Sequence, residues 1–288
     1  MIGRMAQQLA GTSAAGETVG ETRDKVVVAF DRVSLSFDEK VILNDVSFAL
    51  SSGHTKIILG ASGAGKSITL KIILGLLKPD AGAVWVNGQR VDRLDEEEMM
   101  AVRTNLGMVF QEGALFDSLT VRENVGYRLY EESDVPLEDA DRRVEEVLGF
   151  VGLSEFAERM PSELSGGQRR RVAIARAMAS KPHILLYDEA TTGLDPITAA
   201  TVDDEIIKLR DLENVSSILV THQLRDAFYI ATHAAVRQNN GDIRIVPADP
   251  DKEREAEFLM LRDGRIVFEG DADALRHSKD EYLKTFLS

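Results

Sequence analysis

The residues with the clearest chemical potential lie in one glycine-rich stretch, residues 60–67, which reads Gly-Ala-Ser-Gly-Ala-Gly-Lys-Ser. It fits the pattern G-x-x-x-x-G-K-[ST], in which glycines let the backbone wrap around an oxyanion with successive N–H groups pointing inward. Lys66 of this pattern would reach the β- and γ-phosphates of a nucleotide, and the Ser67 hydroxyl would bind Mg²⁺. The stretch therefore predicts a phosphate-binding site, with a plain glycine-rich turn as the alternative.

Four polar residues directly follow apolar strands elsewhere in the chain. Gln111 follows a predicted strand at 105–110, and Asp188 and Glu189 end the apolar segment that begins at residue 183. Ligands of open parallel sheets lie beyond the carboxyl ends of the strands, which would place Gln111 beside the phosphate site. Asp188 can hold Mg²⁺, usually through water, and Glu189 can orient and deprotonate an attacking water. His222 ends a further strand, where it either contacts the γ-phosphate or is structural.

A second anion-binding element is predicted where Ser165, Gly166, Gly167 and Gln168 open a helix that runs to residue 179. Free N–H groups and the helix dipole together favour an anion at such a turn. Two anion sites on one chain suggest one nucleotide held between two surfaces. Phe37, at the end of a strand before the glycine-rich stretch, could stack on an adenine ring, and a core phenylalanine is the equally open alternative.

These side chains need a strand before the glycine-rich turn and a helix after it, and the sequence supplies both at 56–59 and 68–74. Residues 26–30 and 34–37 predict a strand, a turn and a strand within an antiparallel β layer. Residues 119–160 show helical spacing with acidic polar faces, which predicts an inserted helical region. Residues 258–268 predict a hairpin and 275–287 a closing helix, whereas residues 1–23 are predicted to be a flexible extension.

Composition limits the function classes. The 288 residues include 44% hydrophobic and 28% charged side chains, with a net charge of -14. A chain this acidic is a poor candidate for binding nucleic acid, because phosphate backbones need a basic face. With no cysteine, the chain has no disulfide and no thiolate metal site, and no apolar run approaches the roughly 18–20 residues that span a bilayer.

In this order, the motifs resemble those of the ATPase subunit of ABC transporters. Residues 60–67 are similar to Walker A, Gln111 to the Q-loop, residues 164–168 to the LSGGQ signature and residues 184–188 to Walker B. Glu189 corresponds to the catalytic glutamate, and three further positions match the D-loop aspartate, the switch histidine and the adenine-stacking aromatic: Asp195, His222 and Phe37.

The resemblance implies an α/β fold, a P-loop NTPase with a RecA-like core, an antiparallel β subdomain and an inserted α-helical subdomain at about 112–165. The implied ATPase domain covers 25–275, with a polar insertion at about 236–258. A flexible extension at 1–24 would precede it and a C-terminal helix at 276–288 would follow. Two departures stand out: Ala190 replaces the usual proline and would loosen that turn, and the insertion is longer than usual. A regulatory role and a solvated loop both remain open for the insertion.

The family also implies ATP and Mg²⁺ as cofactors and a head-to-tail homodimer that holds ATP between Walker A of one protomer and the signature of the other. The catalytic residues would be Glu189, His222, Lys66 and Gln111, and the metal ligands Ser67, Gln111 and Asp188. The residues predicted to bind the nucleotide are Phe37, Gly60, Ala61, Ser62, Gly63, Ala64, Gly65, Lys66, Ser67, Ile68, Thr69, Ser165, Gly166, Gly167, Gln168 and Asp195.

A narrower resemblance covers residues 110–125, which are similar to the ATPase of Mla/Mce-type lipid transporters. It implies a separate membrane permease, an MCE-type lipid-binding subunit and a place at the cytoplasmic face of the inner membrane. Import ATPases for other solutes share the Leu-Thr-Val-x-Glu-Asn motif, so an importer remains an alternative. A non-transport ATP-dependent clamp and a subunit that binds ATP without turnover are the other two.

Overall fold

The computed structural model describes residues 25–287. The predicted flexible extension at 1–24 lies outside these residues. Within them, two larger sheets and one small hairpin are surrounded by helices.

The first sheet is antiparallel and has the order β2-β1-β4-β5. Its strands are β1 (Val26–Phe37), β2 (Lys40–Ser51), β4 (Ala81–Val86) and β5 (Gln89–Arg90). The predicted turn inside β1 is wrong, because residues 26–37 form one continuous strand with an irregularity at residues 31–32. Register shifts against β2, and Arg32 with a φ of 50°, absorb the irregularity that the polar residues at 31–32 introduce.

The second sheet has the order β12-β11-β3-β8-β7-β6, and all its pairs are parallel except the edge pair β11–β12. Side chains alternate between two cores: Ile57 and Tyr187 face one side, and Ile58 and Leu186 face the other. Burial on both faces explains why these strands read as continuous apolar runs. The strands are β3 (Thr55–Leu59), β6 (Leu106–Val109), β7 (Ile184–Asp188), β8 (Ser216–Val220), β11 (Ala256–Arg262) and β12 (Arg265–Gly270).

The helices connect and cover these sheets. The predicted helical region contains two α-helices that pack against α5, together with the short 3-10 helices Ser154–Phe156 and Pro161–Glu163. The first of the two, α3, begins with a capping box in which Thr120 and Glu123 satisfy each other's backbone N–H groups. The helices are α1 (Lys66–Ile73), α2 (Glu96–Arg103), α3 (Val121–Glu131), α4 (Leu137–Phe150), α5 (Gly166–Ala179), α6 (Pro196–Leu212) and α7 (Leu224–Thr232).

The predicted polar insertion contains an antiparallel hairpin of β9 (His233–Arg237) and β10 (Ile243–Pro247), followed by the short helix α8 (Pro250–Glu253). The hairpin is tied to α6, because the Asp211 carboxylate accepts a hydrogen bond from the Ala235 N–H at 2.7 Å. The insertion therefore begins as ordered structure packed on the core.

The single closing helix predicted for 275–287 is wrong. Two helices, α9 (Ala272–Arg276) and α10 (Glu281–Leu287), stand in its place. The Asp280 carboxylate accepts hydrogen bonds from the N–H groups of Tyr282 and Leu283, which starts a new helix there. Across residues 25–287, the helices are too short or too polar to cross a lipid bilayer.

Candidate nucleotide site

The glycine-rich loop joins the end of β3 to the start of α1, as predicted from the sequence. Gly65, just before the helix, has a φ of 99°, a conformation that glycine adopts without strain. At Gly60 an added Cβ would lie 2.5 Å from the carbonyl oxygen of Leu261. The loop can therefore follow this path only with glycine at these two positions.

Lys66 is buried inside the loop, with only 5% of the residue exposed. Its Nζ donates hydrogen bonds to the carbonyl oxygens of Gly60 at 2.9 Å and Ala61 at 3.1 Å, and lies 3.7 Å from Oε1 of Glu189. Burial lowers the pKa of Lys66, while the carboxylate of Glu189 opposes that shift. The cation is thus held inside the loop that is predicted to bind phosphate.

Ser67 and Asp188 meet at the start of α1 and the end of β7. The Ser67 hydroxyl donates to Oδ1 of Asp188 at 2.7 Å. Burial raises the pKa of Asp188, and the hydrogen bond from Ser67 acts in the opposite direction. A hydroxyl and a carboxylate side by side are oxygen ligands of the kind Mg²⁺ uses together with substrate phosphates. Within 25–287 the His, Asp and Glu side chains form no cluster of three or more that could hold a metal ion by themselves.

Glu189 and His222 come together because β7 and β8 are adjacent parallel strands. The Glu189 N–H donates to the carbonyl of Val220 at 2.9 Å, and Glu189 itself has a φ of 50°. Its Oε2 lies 3.1 Å from Nδ1 of His222. A carboxylate and an imidazole therefore share the sheet edge at which Lys66 and Asp188 lie.

Gln111 is exposed and lies two residues beyond β6, whose last residue, Val109, pairs with Tyr187 of β7. The structure thus places it at the same edge of the sheet, and its contact with a metal stays a prediction. Phe37 is 45% exposed at the end of β1. The alternative of a core phenylalanine is wrong, and stacking on adenine stays a prediction.

The residues predicted to form a second anion-binding element cap α5. The Ser165 hydroxyl accepts from the Gln168 N–H at 3.3 Å, and the Gln168 side chain accepts from the Ser165 N–H at 2.8 Å. Asp195 caps α6 by accepting from the N–H groups of Ile197 and Thr198, and hydrogen bonds from Thr198 lower the pKa of its carboxyl. The two helix starts touch, since a Cβ added at Gly167 would lie 2.1 Å from Cγ2 of Thr198.

Within a single copy of the chain, the two predicted anion-binding elements, residues 60–67 and residues 165–168, are not bonded to each other in the described residues. Within 25–287, neither a hydrogen bond nor an ion pair links residues 165–168 or Asp195 to the loop at 60–67. Apart from Phe37, the predicted nucleotide-binding residues therefore form two separate groups. The first comprises Gly60, Ala61, Ser62, Gly63, Ala64, Gly65, Lys66, Ser67, Ile68 and Thr69, and the second Ser165, Gly166, Gly167, Gln168 and Asp195.

Two side chains near Glu189 are absent from the sequence-based predictions. The Thr192 hydroxyl donates to Oε2 of Glu189 at 3.1 Å, and Gln223 Nε2 donates to that hydroxyl at 3.5 Å. Threonine and glutamine are common polar residues in loops, so their presence in the sequence does not predict a contact with Glu189. The turn also keeps its closing bond, from the Thr192 N–H to the Glu189 carbonyl at 3.1 Å, despite the alanine at position 190.

Comparisons with known proteins agree on the family. A family model described as ABC transporter matches residues 43–192. The chloroplast protein trigalactosyldiacylglycerol 3 of Arabidopsis thaliana is 43% identical over 70% of this chain and 63% of its own length. The methionine import ATP-binding protein MetN of Bifidobacterium longum is 36% identical over 91% of this chain and 68% of its own length.

Among solved structures, the ATP-binding cassette MJ0796, in a dimeric post-hydrolysis state bound to ADP and Pi, superposes with a TM-score of 0.68. It is 30% identical, over 85% of this chain and 98% of that chain. The chain thus spans about two thirds of the length of the two relatives described above and nearly all of this cassette.

Proposed function

This chain belongs to the ABC transporter family, and we propose that it is the ATP-hydrolysing subunit that powers lipid transport through a separate membrane permease. The domain is an ABC ATPase domain with ATP and Mg²⁺ as its cofactors. The observation that carries the proposal is the convergence of Lys66, Ser67, Asp188, Glu189 and His222 at one sheet edge.

Each of these side chains has a distinct part in phosphoryl transfer to water, which needs positioning and charge neutralisation more than covalent chemistry. Lys66 and the loop amides hold the phosphates. Ser67, Gln111 and Asp188 would hold Mg²⁺, which would supply neutralisation of charge on the phosphate oxygens. Glu189 takes the proton from the attacking water, and His222 contacts the γ-phosphate.

The separation of the two anion-binding elements supports a second copy in the active assembly. Ser165, Gly166 and Gly167 begin a helix whose dipole favours an anion, yet within residues 25–287 they share no hydrogen bond with the phosphate loop of their own chain. A head-to-tail homodimer would place this helix start over the triphosphate held by the partner. The dimeric state of the similar cassette MJ0796 is in line with this arrangement.

A surface groove supports the proposed contact with a permease. It has a volume of about 340 Å³, and its lining includes the exposed Phe110 and Phe116 and the half-buried Arg176. The Arg176 guanidinium donates to the carbonyls of Gly113 and Ala114 at 2.8 Å each, so this wall is fixed. An apolar groove with basic edges, directly after Gln111, suits a short helix of a membrane protein. Such docking would hold the chain at the cytoplasmic face of the inner membrane.

The lipid substrate is supported by the 43% identical relative, which is named for a galactosylated diacylglycerol. The resemblance of residues 110–125 to Mla/Mce-type ATPases agrees with it. Under this proposal the permease works with an MCE-type lipid-binding subunit. Net charge of -14 argues against a nucleic acid as a further partner.

Part of the 110–125 resemblance has a structural explanation. Asn124 is fully buried, and its amide donates to the carbonyls of Phe116 and Leu119 at 3.0 Å each. Thr120 and Glu123 form the cap of α3. The Leu-Thr-Val-x-Glu-Asn motif therefore caps α3 and holds the backbone at Phe116, which lines the groove. Under this proposal, solute specificity comes from other side chains and from the permease.

An importer for methionine is the second candidate function. It is favoured by the MetN relative, which aligns with 91% of this chain. Both candidates share the ATPase site and differ only in the permease and its solute.

Purification of the tagged chain with its permease in detergent separates the candidates. The parental complex is expected to release phosphate from ATP, to carry diacyl lipid identified by mass spectrometry, and to be stimulated by phospholipid. The Lys66→Ala variant controls for turnover, since it should retain the permease and lose ATP affinity. Stimulation by methionine with no enriched lipid would identify an importer, and a complex without any multispanning protein would contradict transport.

A further inference from the structure

The carboxylate of Glu189 contacts three side chains in the described part of the chain, at distances of 3.7 Å from Lys66, 3.1 Å from His222 and 3.1 Å from Thr192. Lys66 and His222 belong to the residues assigned to the phosphates. Thr192 has no such assignment. It is therefore the one of these three whose contact with Glu189 can persist while the other two engage a nucleotide.

The orientation of the Thr192 hydroxyl is set by its second neighbour. A hydroxyl has one proton to donate and can accept on its lone pairs. Gln223 Nε2 is a donor only, and it lies 3.5 Å from Thr192 Oγ1. The hydroxyl proton is thus directed away from Gln223 and toward Oε2 of Glu189. Because Gln223 directly follows His222, the contacts from Gln223 to Thr192 to Glu189 connect the segment after β8 with the segment after β7.

The backbone of Thr192 is fixed on two sides. Its N–H closes the turn to the Glu189 carbonyl at 3.1 Å, and its own carbonyl accepts from Nη2 of Arg170 at 3.4 Å. Arg170 lies in α5, the helix that Ser165 caps, and it is nearly buried. A β-branched side chain also has restricted χ1 freedom, so the hydroxyl of threonine is more firmly placed than that of serine.

We propose that Thr192 is a positioning residue that holds the Glu189 carboxylate in place for the attacking water, a role that rests on the proposed function of Glu189 as the base. The hydroxyl does not touch the reacting atoms. It acts by limiting the rotation of the Glu189 side chain, so its loss should slow the chemical step without weakening ATP binding.

Steady-state kinetics of the full chain with Mg-ATP test this proposal. Thr192→Val removes the hydroxyl while keeping the shape, and it should lower kcat about fivefold, equivalent to about 1 kcal/mol. KM for ATP should stay within about twofold of the parental value. Thr192→Ser keeps the hydroxyl and should restore most of the rate, and Thr192→Ala serves as a second variant if valine prevents folding.

A matched control is Thr104→Val, an exposed threonine whose hydroxyl bonds only to the Ala101 carbonyl at 2.6 Å, and it should leave kcat unchanged. A double-mutant cycle adds a sharper test. In a Glu189→Gln background, single-turnover hydrolysis should fall less than about twofold further when Thr192→Val is added, because Thr192 acts through Glu189.

Three results would overturn the role of Thr192 alone. They are a kcat of Thr192→Val and Thr192→Ala within twofold of parental, an equal loss for Thr192→Ser, or a full fivefold loss in the Glu189→Gln background. A Glu189→Gln variant that hydrolyses ATP at the parental rate would overturn the proposed base and the Thr192 proposal together.

Discussion

The Ser67 hydroxyl donates a hydrogen bond to Oδ1 of Asp188 at 2.7 Å, joining the start of α1 to the end of β7 across 121 residues of sequence. This contact brings together the hydroxyl of the glycine-rich loop and the first carboxylate of the Asp-Glu pair. It is a direct link between the phosphate loop and β7, which ends one residue before Glu189.

The first prediction concerns this contact. Asp188→Asn keeps an oxygen that can accept from Ser67, so the fold should survive while a charged ligand for Mg²⁺ is lost. We expect kcat to fall at least about 100-fold, equivalent to about 2.7 kcal/mol. Calorimetry should show weaker binding of Mg-ATP and an unchanged affinity for ATP in EDTA. Equal losses with and without Mg²⁺ would show that Asp188 acts on something other than the metal.

The second prediction concerns the close approach of two helix starts. Gly167→Ala would place a Cβ 2.1 Å from Cγ2 of Thr198, so the Thr198 side chain or the two helix starts must shift, and we expect a loss of about 1–3 kcal/mol in the free energy of unfolding. Gly149→Ala, near the end of α4, is the matched control, because the nearest neighbour of the added Cβ would be 3.7 Å away. The control should gain up to about 1 kcal/mol. Urea unfolding measures both, and a neutral Gly167→Ala would mean that the two helix starts are not packed this closely.

A buried pair of carboxylates gives the third prediction. Asp203 of α6 and Asp226 of α7 are each about 1% exposed, and Oδ1 of the first and Oδ2 of the second have no hydrogen-bond partner among the described residues. Burial, reinforced by Asp226, raises the pKa of Asp203 from 3.8 to about 8, while Arg225 partly opposes the shift. The folded protein therefore binds a proton that the unfolded chain releases. Its stability should fall as pH rises from about 4 to about 8.

Asp203→Asn removes this titration. The difference in unfolding free energy between the variant and the parental chain should shift in favour of the variant by about 2 kcal/mol from pH 5 to pH 8. A single proton could contribute at most about 1.4 kcal/mol for each of these pH units. Urea unfolding at both pH values measures the change, with Asp117→Asn, an exposed aspartate, as the control. A difference between variant and parent that does not grow with pH would show that Asp203 is ionised in the folded chain.

Much of the site could be predicted from sequence because strand ends and motifs are local. The pattern around Lys66 predicts strand, turn and helix in that order. Parallel strands place Asp188 and His222 at one edge. The antiparallel layer and the helical region also follow from short-range periodicity.

Other features depend on contacts between distant residues. The continuity of β1 through residues 31–32 is set by pairing with two neighbouring strands. The break before α10 comes from one aspartate cap that competes with an otherwise helical pattern. The contact between Thr192 and Glu189 forms with a left-handed backbone at Glu189, and the local sequence does not predict that conformation.

The central claim is that two copies of this chain hold Mg-ATP between the loop of one protomer and the Ser165 helix start of the other, with Glu189 as the base. Sedimentation of the Glu189→Gln variant tests it most directly, because that variant should bind ATP and hydrolyse it only very slowly. We predict a dimer in Mg-ATP, a monomer in Mg-ADP or with EDTA, and loss of the dimer when Ser165→Arg is added. A Glu189→Gln variant that stays monomeric in saturating Mg-ATP, or a dimer indifferent to Ser165→Arg, would contradict the account.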